Sequence, residues 1–531
     1  MSNWINEAIF YHIYPFGFCG APSVNNEGIV VNRIKKVVEW IPHLKRLGVN
    51  AIYFSPIFQS SEHGYDTIDY RVVDRRLGSN EDFKAVCEEL HKNGIRVVLD
   101  GVFNHVGREF WAFKDIQKNG PNSKYASWFN NINFSQRSPV GDNFSYEGWE
   151  GHFNLVKLNL KNPEVVNHIL DAINTWIEEF DIDGIRFDVA YCMDEDFFRE
   201  INKFCKNKKK DFWLMGEMIH GDYARLTKPG MLDSVTNYEC YKGIYSSHND
   251  KNYFEIAYSL NRQFGNGGIY ENIYTYNFVD NHDVNRIGST LTNENYIYNV
   301  YTLLFTMPGV PSIYYGSEWA IKGIKENGSD AGIRPCIELK NMNDESKLIK
   351  HIEKLSYARK NSEALRYGSY EQVLVRNEQF VYCRSLGEDK AYVLLNLCDK
   401  DQYLNFNVNK NKEFKDLLTG EKVVVNNCNV NIQVPAFSGK ILVESSSLED
   451  EAFIEELSEQ TDIEDKHEII KKVEVKEEKD EVVEENKEIE KEKTTSEEET
   501  KEAKIKILND KLEALQILLD ELKSDINELK K

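Results

Sequence analysis

Up to about residue 360, short apolar runs alternate with amphipathic stretches, and no other feature constrains the fold so tightly. "AIFYHIYP" (8–15), "AIYFSP" (51–56), "IRVVLDGV" (95–102), "GIRFDVA" (184–190), "WLMGEM" (213–218), "YTYNFVD" (274–280) and "VPSIYYG" (310–316) read as strands, with a weaker one at "DSVTNY" (233–238). Between them lie helical patterns. Residues 79–94 offer Ser79 as a cap, Phe83, Val86, Cys87 and Leu90 on one face, and Gly94 as a stop; residues 162–180 carry Pro163 in the first turn. Such alternation calls for a parallel sheet with crossover helices. About eight strands is the number that closes a (β/α)8 barrel, which is the predicted fold. An open doubly wound sheet is the alternative, and the absence of GxGxxG after an early strand weighs against it.

One connection is too long for a plain crossover. After "LDGVFNHVG" the next strand begins near residue 183, and the interval at about 107–160 is rich in Asn, Gly and aromatics. It reads as a subdomain inserted after the third strand, at the end where barrels place their chemistry. The barrel with its insert takes residues 1–365. Residues 366–447 hold short strands separated by turn residues, an all-β domain of sandwich type. Residues 448–500 form an acidic linker, too charged to bury a core and expected to be disordered. In 501–531, Ile505, Leu508, Leu512, Leu515, Leu519, Leu522, Ile526 and Leu529 recur at spacings of three and four. That is a coiled-coil pattern predicting a homo-oligomer, with one amphipathic helix docked on the body as the alternative.

The net charge of −22 is concentrated in the linker, where about 23 acidic residues face 8 basic ones. The remainder is mildly acidic and gives no reason to expect a nucleic-acid partner. Nine scattered cysteines with no CxxC pair fit reduced thiols in a cytoplasm. Neither a signal peptide nor an apolar run of about 18 residues is evident, so no membrane partner is expected.

The stretch "DGIRFDVA" (183–190) sets Arg186 and Asp188 on the face of a strand opposite Ile185, Phe187 and Val189. A structural ion pair would explain this, and so would a catalytic carboxylate kept ionised by its neighbour. Other strand ends carry further polar groups: Asp100, Asn104 and His105 in "DGVFNH", Glu217 in "GEM", His282 and Asp283 in "FVDNHD". Glycoside cleavage needs such a set, with one ionised carboxylate under the anomeric carbon and one protonated acid at the leaving oxygen. Arg186 would keep Asp188 ionised, and the apolar neighbours of Glu217 would raise its pKa. Asp283 would grip sugar hydroxyls. The two histidines would donate to hydroxyls or ligate a metal; nothing like HExxH supports the metal.

In order and spacing these stretches resemble the α-amylase family, glycoside hydrolase family 13, over residues 5 to about 446. "HGYDTIDY" (63–70) and "TMPGVPSIYYGSE" (306–318) extend the resemblance. It implies Asp188 as nucleophile, Glu217 as general acid/base and Asp283 as transition-state stabiliser. It places Tyr65, His105, Arg186 and His282 around the sugar being cut, with Asp330 and Arg334 of "SDAGIRP" one subsite further out. "LVKLN" (155–159), with Lys157, and the segment 107–129 are similar to the cyclomaltodextrinase, neopullulanase and maltogenic amylase group. Val156 replaces that group's usual Pro, "GEMIH" lacks the Trp common after the acid, and the first strand near residue 8 leaves out the group's amino-terminal domain. The implied activity is retaining hydrolysis of α-1,4-glucosidic bonds in maltodextrins, cyclodextrins or starch. A 4-α-glucanotransferase on the same site and a non-catalytic glucan-binding scaffold are the alternatives. No cofactor is required by the resemblance, which leaves calcium open at Asn104, with Cys192 where a His is common.

Overall fold

The computed structural model describes residues 3–444 apart from 27, 327, 409–412 and 426. Eight parallel strands form one sheet: β1 (Phe10–Ile13), β2 (Ala51–Phe54), β3 (Arg96–Gly101), β4 (Gly184–Phe187), β5 (Trp213–Gly216), β6 (Ser234–Val235), β7 (Tyr276–Asn277) and β8 (Val310–Tyr314). Their order is β6-β5-β4-β3-β2-β1-β8-β7. A single parallel bridge, Thr236 to Tyr276, links the two end strands and turns the sheet into a nearly closed barrel.

Period-two alternation divides each strand between two cores. Phe10, Tyr53, Val98, Trp213, Met215 and Tyr276 point inward and pack together, with the Phe10 ring tilted against Trp213 at 5.1 Å between ring centroids. Tyr11, Ile52, Leu99 and Ile185 point outward into the larger core under the helices. Helix α1 (Asn80–Lys92) buries the four predicted residues and starts in a capping box. Ser79 Oγ accepts from Asp82 N at 3.2 Å, and Asp82 Oδ2 accepts from Ser79 N at 2.8 Å. Helix α2 (Pro163–Phe180) starts at Asn162, whose side chain accepts from Glu164 N.

The insert grows from the carboxyl end of β3. Strands His105–Gly107, His152–Lys157 and Gly148–Trp149 form a small antiparallel sheet. Phe113, Phe129, Phe144 and Tyr146 pack beneath it.

Residues 369–444 form an all-β domain around a six-stranded antiparallel sheet. Val381 and Cys383 face a core shared with the ladder Gln402–Asn407/Asn429–Val434, while Phe380 and Tyr382 face the barrel core. Arg384 Nη1 donates to Thr306 O at 2.7 Å, at the end of the barrel helix Tyr296–Thr306. All nine cysteines are free. No described helix is long and apolar enough to cross a membrane. The linker at 448–500 and the heptads at 501–531 lie outside the described residues.

Candidate active site

The alternation that fills the barrel also builds its mouth. On β3 the inward positions run Val98, Asp100; on β4, Gly184, Arg186 and then Asp188; on β5, Trp213, Met215 and then Glu217. Asp100 and Glu217 follow apolar inward residues and Asp188 follows Arg186, each near the carboxyl end of its strand, so three strands deliver acids to one level. Arg186 lies among them. Its Nη1 donates to both oxygens of Asp100 and to Asp188 Oδ1, each at 2.9 Å. Its Nη2 meets Glu217 Oε1 at 2.6 Å.

The chain turns sharply after Asp188. Val189 has φ 43°, a left-handed conformation costly for a β-branched residue. That turn aims the Val189 N–H at Glu217 Oε2, 2.9 Å away. Backbone strain here serves to orient an acid.

A cleft of about 960 Å³ opens above these groups, and Asp188, Glu217, Asp283, Tyr65, His105, Asp330 and Arg334 all line it. Tyr65 sits at the tip of the hairpin Phe58–Ser60/Thr67–Val73. His105 Nε2 is 3.9 Å from Asp188 Oδ2. Arg334 reaches Asp283 Oδ1 at 3.2 Å and Asp330 Oδ2 at 2.8 Å, and its guanidinium lies over the Tyr14 ring.

Three residues expected at the sugar do not line the cleft. Arg186 is covered by its own carboxylates and does not line the cleft. His282 is buried, stacked on Tyr65 at 5.5 Å; its Nε2 pairs with the Tyr65 hydroxyl and with Asp283 Oδ2 at 3.0 Å. Lys157 donates to Glu147 Oε1 at 2.7 Å, in the insert. Arg186 therefore holds other groups in position, whereas His282 commits only Nε2 to Tyr65 and Asp283 and leaves its buried Nδ1 without a protein partner.

The electrostatics revise one expectation. Arg186 does not serve Asp188 alone; one guanidinium is divided among three carboxylates. Burial pushes Asp188 well above the usual carboxylate range, Arg186 opposes it, and the charges of Glu217, Asp100 and Asp283 add to the rise. Burial raises Glu217 as well, as its apolar neighbours suggested, again against Arg186. Such a pair titrates together, and the upward shift of both acids favours a proton held between them. Burial also acts on Asp283, but His282 and Arg334 outweigh it and hold this acid well below its usual range. His105 is pushed down to about 3 by burial, so its imidazole is neutral at any working pH.

Sequence reasoning missed Tyr238 and Trp149. Tyr238 donates to Glu217 Oε1 at 3.4 Å and accepts from Asn281 at 3.0 Å, but it follows the two-residue strand β6, whose signal was weak. Trp149 stacks on His105 at 5.5 Å from the insert, where no periodicity marks it. Asn104, where the resemblance leaves calcium open, is buried beside His105. The Asn104 amide nitrogen lies 3.2 Å from His105 Nδ1, and among the described residues no three His, Cys, Asp or Glu side chains converge as metal ligands.

Against known proteins, the family described as "Alpha amylase, catalytic domain" matches residues 13–364. A maltogenic α-amylase of Bacillus acidopullulyticus is 31% identical over 415 residues, covering 74% of this chain and 70% of its own. An intracellular maltogenic amylase of Bacillus subtilis (strain 168) is 30% identical over 449 residues, covering 78% and 73%. Among solved structures, a cyclomaltodextrinase superposes with a TM-score of 0.73 at 26% identity, over 83% of this chain and 79% of that one.

Proposed function

The chain belongs to the α-amylase family of glycosidases, and from that premise we propose that it cleaves α-1,4-glucosidic bonds of maltodextrins, linear or cyclic, by double displacement. One observation carries the reading: Asp188, Glu217 and Asp283 line a single cleft, the first two bridged by one guanidinium. Glu217 protonates the departing glycosidic oxygen while an Asp188 oxygen attacks the anomeric carbon, giving a β-glucosyl ester and a free chain end. Glu217, now ionised, takes a proton from water, whose oxygen displaces Asp188 and restores the α configuration. The shared proton of the Asp188–Glu217 pair supplies the acid; Asp283, held ionised, stabilises the oxocarbenium-like charge. His105, neutral and beside Asp188, donates to a sugar hydroxyl, with Trp149 behind it and Tyr65 stacking on the ring.

Cyclic substrates enter through the names of similar proteins, maltogenic amylases and a cyclomaltodextrinase among them. If a sugar hydroxyl replaces water in the second step, the same intermediate gives transfer. Incubation with maltotriose, β-cyclodextrin, pullulan and soluble starch, followed by chromatography, distinguishes these substrates and shows the ratio of hydrolysis to transfer. Freshly released maltose should be the α-anomer by proton NMR; an initial β-anomer would exclude double displacement.

The tail is assigned a separate task. From their sequence pattern, the heptad residues Ile505 to Leu529 are assigned to self-association. Removing residues 501–531 should lower the mass seen by light scattering and leave hydrolysis intact; an unchanged mass defeats the assignment. A cytoplasmic setting is supported by the nine free cysteines and by the relative named an intracellular amylase.

A further inference from the structure

The cleft continues past Glu217. A second depression of about 660 Å³ adjoins it, and the two share Ile219 and Tyr238. One wall of this depression is helix α3 (Phe254–Phe264). Ile256, Ala257, Leu260 and Phe264 bury the inner face of α3. Phe254 and Tyr258 do not belong to that face. They are 48% and 69% exposed, four residues apart and so side by side on the outer surface, and both line the depression. Asn252 and the Lys242–Glu255 pair, 2.8 Å apart, stand beside them.

Two large aromatic side chains held in water contribute little to packing, and an exposed apolar patch continuous with a cleft marks a ligand groove. Here the rings alternate with amide, ammonium and carboxylate groups. That pattern matches a pyranose, which has apolar faces for stacking and hydroxyl edges for hydrogen bonds. The position fixes which part of the substrate arrives. Tyr238 touches Glu217, and Ile219 follows it by two residues, so the groove lies on the side of the proton donor. The proton donor stands beside the leaving group.

We propose that the outer face of α3, through Phe254 and Tyr258, binds the leaving-group portion of a linear α-1,4-glucan beyond the glucose units in contact with Glu217. The inference rests on Glu217 being the general acid. It makes the enzyme favour long chains over short ones and gives a transfer acceptor a place to bind.

The test compares maltoheptaose with maltotriose on the full chain. In the double variant Phe254→Ala/Tyr258→Ala, the ratio of kcat/KM for maltoheptaose to that for maltotriose should fall about tenfold, mainly through KM. Tyr258→Phe, which keeps the ring, should retain most of the ratio. An unchanged ratio in a variant with wild-type circular dichroism and melting temperature overturns the proposal, and so does a parallel loss on both substrates. Binding of maltoheptaose to Asp188→Asn, with and without the double substitution, reads the groove apart from turnover. Equal affinities there would also overturn it, whereas wild-type protein that cleaves no α-glucan would defeat the glycosidase reading instead.

Discussion

Asp188→Asn should lower kcat on maltotriose or β-cyclodextrin by about four to six orders of magnitude, the loss expected when a covalent nucleophile is removed from a cooperating set. The fold should survive. The amide oxygen still accepts from Arg186 Nη1, which Asp188 Oδ1 meets at 2.9 Å in the native chain. The substitution also removes one of three buried carboxylates around a single cation, so the melting temperature should be unchanged or higher. Adding Glu217→Gln should cost far less than its effect alone, because the two acids act as a unit. Residual activity within about a hundredfold of wild type would remove Asp188 from its role, since mere positioning or binding losses are of that size.

Much of this site was legible because it is written in period two. Arg186 and Asp188 stand two apart on a strand whose other face is apolar, so a shared inward face followed from spacing alone. The same rule places Glu217 two residues beyond the inward Met215. What could not be read is what several distant segments decide together. That Arg186 would be divided among Asp100, Asp188 and Glu217 depends on the register of β3, β4 and β5, where Asp100 pairs with Arg186 and Met215 with Arg186 on the other side. The left-handed Val189 carries no sequence mark, for tertiary contacts override the preference of a β-branched residue. Trp149 reaches His105 through a small antiparallel sheet whose pairing no local pattern announces.

Arg186→Leu should destabilise the protein by about 3–5 kcal/mol as well as abolish turnover, because it leaves Asp100, Asp188 and Glu217 buried without their cation. Loss of packing alone would cost the same at every pH. Loss of charge would not. Burial already raises Asp188 and Glu217 against the pull of Arg186, so removing Arg186 must raise them further. A carboxyl whose folded pKa exceeds its unfolded one stabilises the fold fully below the unfolded value, near 4, and loses that contribution as pH rises through the folded value. The variant should therefore be more stable at pH 5 than at pH 8, by about 1.4 kcal/mol per pH unit for each extra proton the fold retains. Urea unfolding at pH 5, 6, 7 and 8 would show it as a midpoint falling with pH relative to wild type. Arg186→Lys should recover only part of the stability, since one ammonium cannot reproduce the fork that reaches Asp188 through Nη1 and Glu217 through Nη2. A leucine variant whose deficit is the same at all four pH values would mean that Arg186 acts by filling space, and the account of the shared proton would fall with it.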